Sequence, residues 1–180
     1  MKKKAIIISI KGYNLSIKEK MLIKNEKPWG LILFKRNIKS LSQVVKLIKK
    51  IRTSSNDSKL PIMIDEEGET VSRLSKIINN NFSQKFFGDI YKYNPKVALI
   101  IYKNYINNLT ITLKKIGINI NTVPVLDVVR KKTHKIIGNR SFSNDPQVVK
   151  KLGEICVRQY KSNRLGTVIK HIPGHGCASF

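Results

Sequence analysis

Short, uniformly apolar runs that end in polar or charged residues recur along this chain, and they are separated by segments of helical periodicity. That alternation constrains the fold more than any other feature. Ala5–Ile10, Leu31–Phe34, Pro61–Ile64, a region from Ile118 to Asp127, and Thr167–Lys170 are too short for amphipathic helices and read as five strands, the first and last of them buried. Between them the helix signals are local and chemical. Ser16 with Glu19 forms a capping box before a short helix that Pro28-Trp29-Gly30 breaks. Ser40 repeats the pattern with Gln43, and Leu41, Val44, Val45, Ile48 and Ile51 then recur at helical spacing with Lys46, Lys49 and Lys50 opposite. Ser54–Lys59 is a polar turn. Asn94-Pro95 starts the longest helix, which Gly117 closes after Ile116, and Asp145-Pro146 starts another that ends near Asn163–Gly166. No element is assigned between Gly68 and Asn94. Strands alternating with helices predict an α/β fold with a parallel sheet and right-handed crossovers, organised as one domain over residues 1–180.

In such a sheet the loops after the strands gather on one rim. Polar groups collect there: Arg36-Asn37 after the second strand, Asp65-Glu66-Glu67 after the third, Asp127 with Gly138-Asn139-Arg140 after the fourth, and Lys170-His171 with His175 after the fifth. Carboxylate, guanidinium, ammonium and imidazole together, without cysteine ligands or a phosphate-binding glycine loop, suit a neutral polyhydroxylated ligand, and a carbohydrate fits best. Asp65 can accept from two sugar hydroxyls while Arg140 and Lys170 donate to others. Asp65 and Glu67 lie two apart and would share a face of a continuing strand, the kind of pair a retaining glycosidase uses at ~5 Å. The preferred alternative is one ligand contact and one structural salt bridge. Arg73 reaches either a ligand anion or its own loop. His171 and His175 are each compatible with a structural role, and His134 reads as a surface residue. The histidine and aspartate spacings match neither a helical His pair nor an EF-hand loop, so no metal is expected.

Composition bears on partners. The chain carries 35 Lys+Arg against 11 Asp+Glu, a formal charge of +24, with 41% hydrophobic residues. Lysines are spread over every segment, arginine is scarce, and no aromatic RNA-binding run is present, so a solvated basic surface is expected rather than a nucleic-acid site. No apolar run approaches the ~20 residues that span a bilayer, so no membrane association is expected. Met1-Lys2-Lys3-Lys4 imitates a signal-peptide start, but Lys11 interrupts the apolar stretch. Together with only two cysteines, Cys156 and Cys177, this predicts a cytoplasmic protein.

Three segments carry a resemblance: Trp29-Gly30-Leu31-Ile32-Leu33-Phe34-Lys35-Arg36-Asn37, Ile64-Asp65-Glu66-Glu67-Gly68 with Val71 and Arg73-Leu74, and Lys170-His171-Ile172-Pro173-Gly174-His175-Gly176. With Pro124-Val125-Leu126-Asp127 and Ile137-Gly138-Asn139-Arg140-Ser141-Phe142, the chain resembles the bacterial β-N-acetylhexosaminidases of glycoside hydrolase family 3. The resemblance implies a TIM-type (β/α)8 barrel, here an incomplete one of about five β/α units against the usual ~250 residues. It implies no cofactor, and as activity the removal of terminal N-acetylglucosamine from muropeptides in peptidoglycan recycling. It also implies that Asp65, Arg140, Lys170 and His171 hold the sugar and that Arg73 lies beside the site, near the aglycone. The family's nucleophilic aspartate and its histidine acid/base, within an aspartate-serine-histidine triplet, are expected beyond Phe180. No catalytic residue is therefore assigned, and the chain is expected to be a truncated and inactive form. A non-catalytic sugar-binding remnant and a basic nucleic-acid-binding protein are the alternatives. Glu69 and Thr70 depart from the glycine and arginine usual in the family.

Overall fold

A computed structural model describes residues 3–177. Five strands, β1 (Lys4–Ile8), β2 (Pro28–Leu33), β3 (Ile62–Ile64), β4 (Ile120–Asn121) and β5 (Gly166–Thr167), form one parallel sheet in the order β1-β2-β3-β4-β5. The helices between them are α1 (Ile17–Glu26), α2 (Leu41–Ser55), α3 (Gln84–Tyr93), α4 (Pro95–Ile116) and α5 (Pro146–Ser162). A parallel sheet whose strands follow chain order is an incomplete (β/α)8 barrel of five units.

The caps form where the sequence places them. Ser16 accepts the Glu19 amide and Glu19 returns to the Ser16 amide, so α1 has its capping box. Lys27, left-handed at φ 47°, ends the helix one residue before Pro28 begins β2. Ser40 accepts the amide of Gln43, but the Gln43 side chain accepts from Lys39 rather than from Ser40. Asn94 caps α4, which buries Ala98, Tyr102, Ile106, Leu109, Leu113 and Ile116 along one face. Gly117, at φ 98°, closes that helix in a left-handed conformation suited to glycine.

Four expectations need correction. The first strand is exposed: Ile6 and Ile7 keep 51% and 42% of their surface, because β1 has a neighbour on one side only, β2. The fifth strand is likewise an edge, with Val168 and Ile169 exposed and ladder pairing confined to Gly166–Thr167 plus a bridge from Lys170 to Val125. On α2 the buried stripe runs Val44, Leu47, Ile48 and Ile51, while Leu41 and Val45 face outward and the supposed turn at Ser54 is the last turn of the helix. Finally, α3 occupies the unassigned stretch. Ser83 caps it through the Phe86 amide, and Phe87 enters an aromatic cluster with Tyr102 and Tyr105 of α4. A Cβ at Gly88 would lie 1.8 Å from the Phe142 carbonyl oxygen, so glycine is what lets α3 lie against the segment after Arg140.

Sheet register then sets the rim. Leu33 lies opposite Ile64, Ile64 opposite Asn121, and Asn121 opposite Thr167, so β2 to β5 stop at one level. Beyond it the fourth strand breaks at Pro124, which has no N–H to give, and resumes at Val125, where Leu126 N–H donates to the Lys170 carbonyl.

Candidate functional site

The residues that leave the sheet at this level meet. Asp65 follows Ile64 and Thr122 follows Asn121, so the paired register puts them side by side, and the Thr122 hydroxyl donates to Asp65 Oδ1. Lys170 Nζ comes in from the fifth strand, 3.0 Å from Thr122 Oγ1, 3.3 Å from Asp65 Oδ1 and 2.6 Å from Glu67 Oε1. Arg140 grips Glu67 side-on with one edge of its guanidinium, Nε to Oε2 at 2.8 Å and Nη2 to Oε1 at 3.0 Å. On the outer side Arg73 Nη2 is 3.3 Å from Asp65 Oδ2, with its guanidinium 5.7 Å from the centre of the Phe34 ring. The order in space is thus Arg73, Asp65, Lys170, Glu67, Arg140, with charges alternating at every step.

His171 extends the series. Its Nδ1 lies 2.6 Å from Asp127 Oδ2 and its Nε2 lies 3.4 Å from Arg140 Nη2. With the Nδ1 proton donated to Asp127, Nε2 is left as an acceptor turned toward the arginine. Asp127 is fully buried at its side chain, and its other oxygen takes the backbone N–H of His175. One aspartate therefore holds both the His171 ring and the loop after it. The His175 ring packs edge-on to His171 at 4.6 Å between centroids. The peptide bonds Lys170–His171 and Ile172–Pro173 in this loop are cis.

Protonation follows from these contacts. Burial pushes the Asp65 carboxyl up, but the Thr122 hydroxyl, Lys170 and Arg73 outweigh it and hold the group below its ordinary range. Asp127 is similar: burial opposes, while His171 and the amides of His175 and Gly176 prevail and lower it. Hydrogen bonding to Glu67 outweighs desolvation and raises Arg140 above its already high value. Asp65 and Asp127 are thus anions at neutral pH, available as acceptors.

Each named residue has a place. Asp65, Arg140, Lys170 and His171 converge, with side-chain exposures of 17%, 13%, 15% and 27%, and Arg73 stands at their edge. Glu67 takes the salt-bridge alternative: its side chain is 3% exposed and both oxygens are held by cations. Glu66 is structural. It accepts from Ser72 Oγ, the amides of Arg73 and Leu74, and Asn80 Nδ2, fixing the loop that carries Arg73. Within that loop Gly68, at φ 122°, passes so close to Phe82 that a Cβ would sit 2.0 Å from its carbonyl oxygen. Arg36 and Asn37 turn away from the site, to Ser9, Ile10 and Gly12. His134 lies partly exposed in the loop before Gly138, and its Nδ1 accepts the Ile136 amide. Cys156 is buried, its thiol pushed up to about 12 by desolvation, so it is inert.

Thr122 and Gln84 were not singled out by sequence. Thr122 sits at a strand end like the others, and that position was its signal. Gln84 donates to the carbonyls of Val125 and Arg140 and accepts the Val125 amide, tying α3 to the rim; it belongs to the element the sequence did not announce. Among the described residues no three His, Cys, Asp or Glu side chains converge as a metal set.

Comparison with known proteins places this geometry. The glycosyl hydrolase family 3 N-terminal domain matches residues 3–180. The chain belongs to that family. It is 31% identical over 171 residues to the beta-hexosaminidase of Xanthomonas campestris pv. campestris strain B100, covering 95% of this chain and 51% of that protein. Among solved structures, NagZ from Neisseria gonorrhoeae in complex with zinc ion superposes at a TM-score of 0.89 with 26% identity, over 98% of this chain and 53% of that one. NagZ from the same organism in complex with N-trifluoroacetyl-D-glucosamine gives a TM-score of 0.87 at 26% identity, over 98% of this chain and 53% of that one. The family 3 chain thus spans about half the length of the curated relatives it matches. No described helix is long and apolar enough to cross a membrane.

Proposed function

We propose that this family 3 chain forms the sugar-holding part of a β-N-acetylhexosaminidase site that takes a terminal N-acetylglucosamine from muropeptides in cytoplasmic peptidoglycan recycling. The observation that carries the reading is the convergence of Asp65, Arg140, Lys170 and His171 on one half-open rim, each fixed by a buried partner. Asp65 accepts sugar hydroxyls, Arg140 and Lys170 donate to others, His171 offers Nε2, and Arg73 lies toward the aglycone. At 3.3 Å the Lys170–Asp65 contact is longer than the Lys170–Glu67 and Arg140–Glu67 pairs, and a sugar hydroxyl can replace it at lower cost than either. The relatives' names and the N-trifluoroacetyl-D-glucosamine bound to the Neisseria gonorrhoeae protein agree with this assignment.

Within residues 1–180 no side chain matches the family's nucleophile or its acid/base. The 180-residue chain assayed by itself is therefore expected to bind N-acetylglucosamine saturably without releasing chromophore from an aryl N-acetylglucosaminide. Calorimetric titration of the purified chain tests the first part, with Asp65→Ala as the comparison, expected to weaken binding by tenfold or more, as loss of a charged hydrogen-bond acceptor implies. Absence of saturable binding to the folded chain, or an Asp65→Ala variant that binds as well, would sink the reading. Chromophore release near the rate of a full-length relative would refute the second part.

A further inference from the structure

Glu67 is placed where it cannot serve the sugar directly. Its side chain is 3% exposed, Oε2 is taken by Arg140 Nε, and Oε1 is shared by Arg140 Nη2 and Lys170 Nζ. What it does instead is neutralise two cations that reach the rim from the segments following β4 and β5. Arg140 and Lys170 unpaired are the groups that recognise carboxylates and phosphates, and in this chain of net charge +24 the other anions near Arg140 are Asp65 and the buried Asp127, the latter engaged by His171. With Glu67 in place, part of each cation's donor capacity is spent and its charge is matched, and what remains suits neutral hydroxyl and amide oxygens.

We infer that Glu67 is a specificity-determining positioning residue: by pairing with both Arg140 and Lys170 it tunes the rim to an uncharged terminal sugar and excludes sugars bearing a carboxylate or phosphate. The inference rests on the sugar-site reading above and adds to it the charge class of the ligand. A merely structural role for Glu67 would change the affinity for all sugars alike. A selectivity role changes the ratio between two ligands that differ only in charge.

N-acetylglucosaminuronic acid and its uronamide are such a pair, nearly isosteric, one anionic and one neutral at pH 7. Titrated into the purified chain at low ionic strength, the uronamide is expected to bind about tenfold or more tightly than the uronate, since a like charge a few ångströms from Asp65 and Glu67 is worth at least that much at a partly buried site. In Glu67→Gln, which keeps the shape and drops the charge, the ratio is expected to fall to about one or invert, and the new uronate binding should weaken as salt is added. Glu67→Asp, which keeps the charge, should retain the preference for the uronamide. Equal binding of the two ligands by the unmodified chain, or an unchanged ratio in a folded Glu67→Gln, overturns the inference. Should Glu67→Gln fail to fold, Lys170→Gln gives the opposite arm: with one cation removed and Glu67 kept, the ratio must widen, and a ratio that stays or narrows overturns the inference. If the unmodified chain binds neither ligand and no N-acetylglucosamine either, the sugar-site reading itself fails and takes this one with it.

Discussion

Replacing Glu66 separates a buried carboxylate that organises a loop from one that merely fills space. Its two oxygens accept four hydrogen bonds: Ser72 Oγ at 2.8 Å and Asn80 Nδ2 at 2.7 Å on Oε1, and the amides of Arg73 and Leu74 at 2.8 and 2.9 Å on Oε2. Burial outweighs all four and raises the carboxyl above its ordinary range, so the charge carries a desolvation cost that the donors do not fully offset. In Glu66→Ala the Ser72 and Asn80 side chains can turn elsewhere, but the two backbone N–H groups cannot. Each buried donor left unmet costs about 1–3 kcal/mol, and removing the desolvated charge returns part of that, for a net loss of about 3 kcal/mol. For a domain of this size that is a fall in Tm of about 6–12 °C. In Glu66→Gln the amide oxygen stays on the two backbone donors and the Ser72 hydroxyl can turn to accept. Asn80 must flip, however, and its Oδ1 is the acceptor of the Tyr105 hydroxyl at 2.9 Å. The expected loss is about 1 kcal/mol, or about 2–4 °C. The sign of the pH effect also differs. A folded-state value raised above 4.5 means that the wild type gains stability as pH falls through that value toward 4.5, a gain Glu66→Gln cannot show. Thermal melts followed by circular dichroism between pH 4 and 7 check each step. An alanine variant as stable as the wild type, or a glutamine variant as damaged as the alanine one, refutes the account.

Gly88→Ala drives a methyl group against the Phe142 carbonyl and is expected to push α3 off the rim, lowering stability by about 3 kcal/mol or more and with it the solubility of the purified chain. Asp127→Asn should leave the fold in place but loosen His171, weakening N-acetylglucosamine binding about tenfold, with a change of imidazole tautomer visible in 15N NMR shifts. Asp65 and Asp127 both have folded-state values below 3.8, so their contributions to stability are complete above 3.8 and are lost as pH falls through the lowered values. Sugar binding should accordingly persist at pH 4.5 and fail only below about 3.8, which titrations at stepped pH measure.

The strand-end rule found the rim from sequence because polar residues at the close of an apolar run have few other places to go. Lys170, His171, Arg140 and Asp65 were all legible that way. That Asp65 and Glu67 share a face was legible from their spacing; what Glu66 does was not, since its partners Ser72, Asn80 and two amides are contributed by residues further along the chain. The exposure of β1 and β5 was also hidden: a run such as Ile6-Ile7-Ile8 reads as buried whether or not a neighbour covers it. Helix α3 escaped because it carries Gly88 in its interior and is held by aromatic contacts from Phe87 to Tyr102 and Tyr105, partners that lie further along the chain. Thr122 is a residue type with no chemical signature of its own, and only the Ile64–Asn121 register gives it meaning.

The consecutive strand order has a consequence in time. Every sheet pairing joins strands that are neighbours in the chain, so units can add one after another as the polypeptide leaves the ribosome, with no strand waiting for a distant partner. The contacts that make the rim are of the other kind: Lys170 and Asp65 are 105 residues apart, and Arg140 and Glu67 are 73 apart. The Lys170 contact closes only when the fifth strand docks. During refolding, helical signal and the first strand pairings should therefore precede any affinity for sugar, which makes a bound sugar a reporter of the last assembly step.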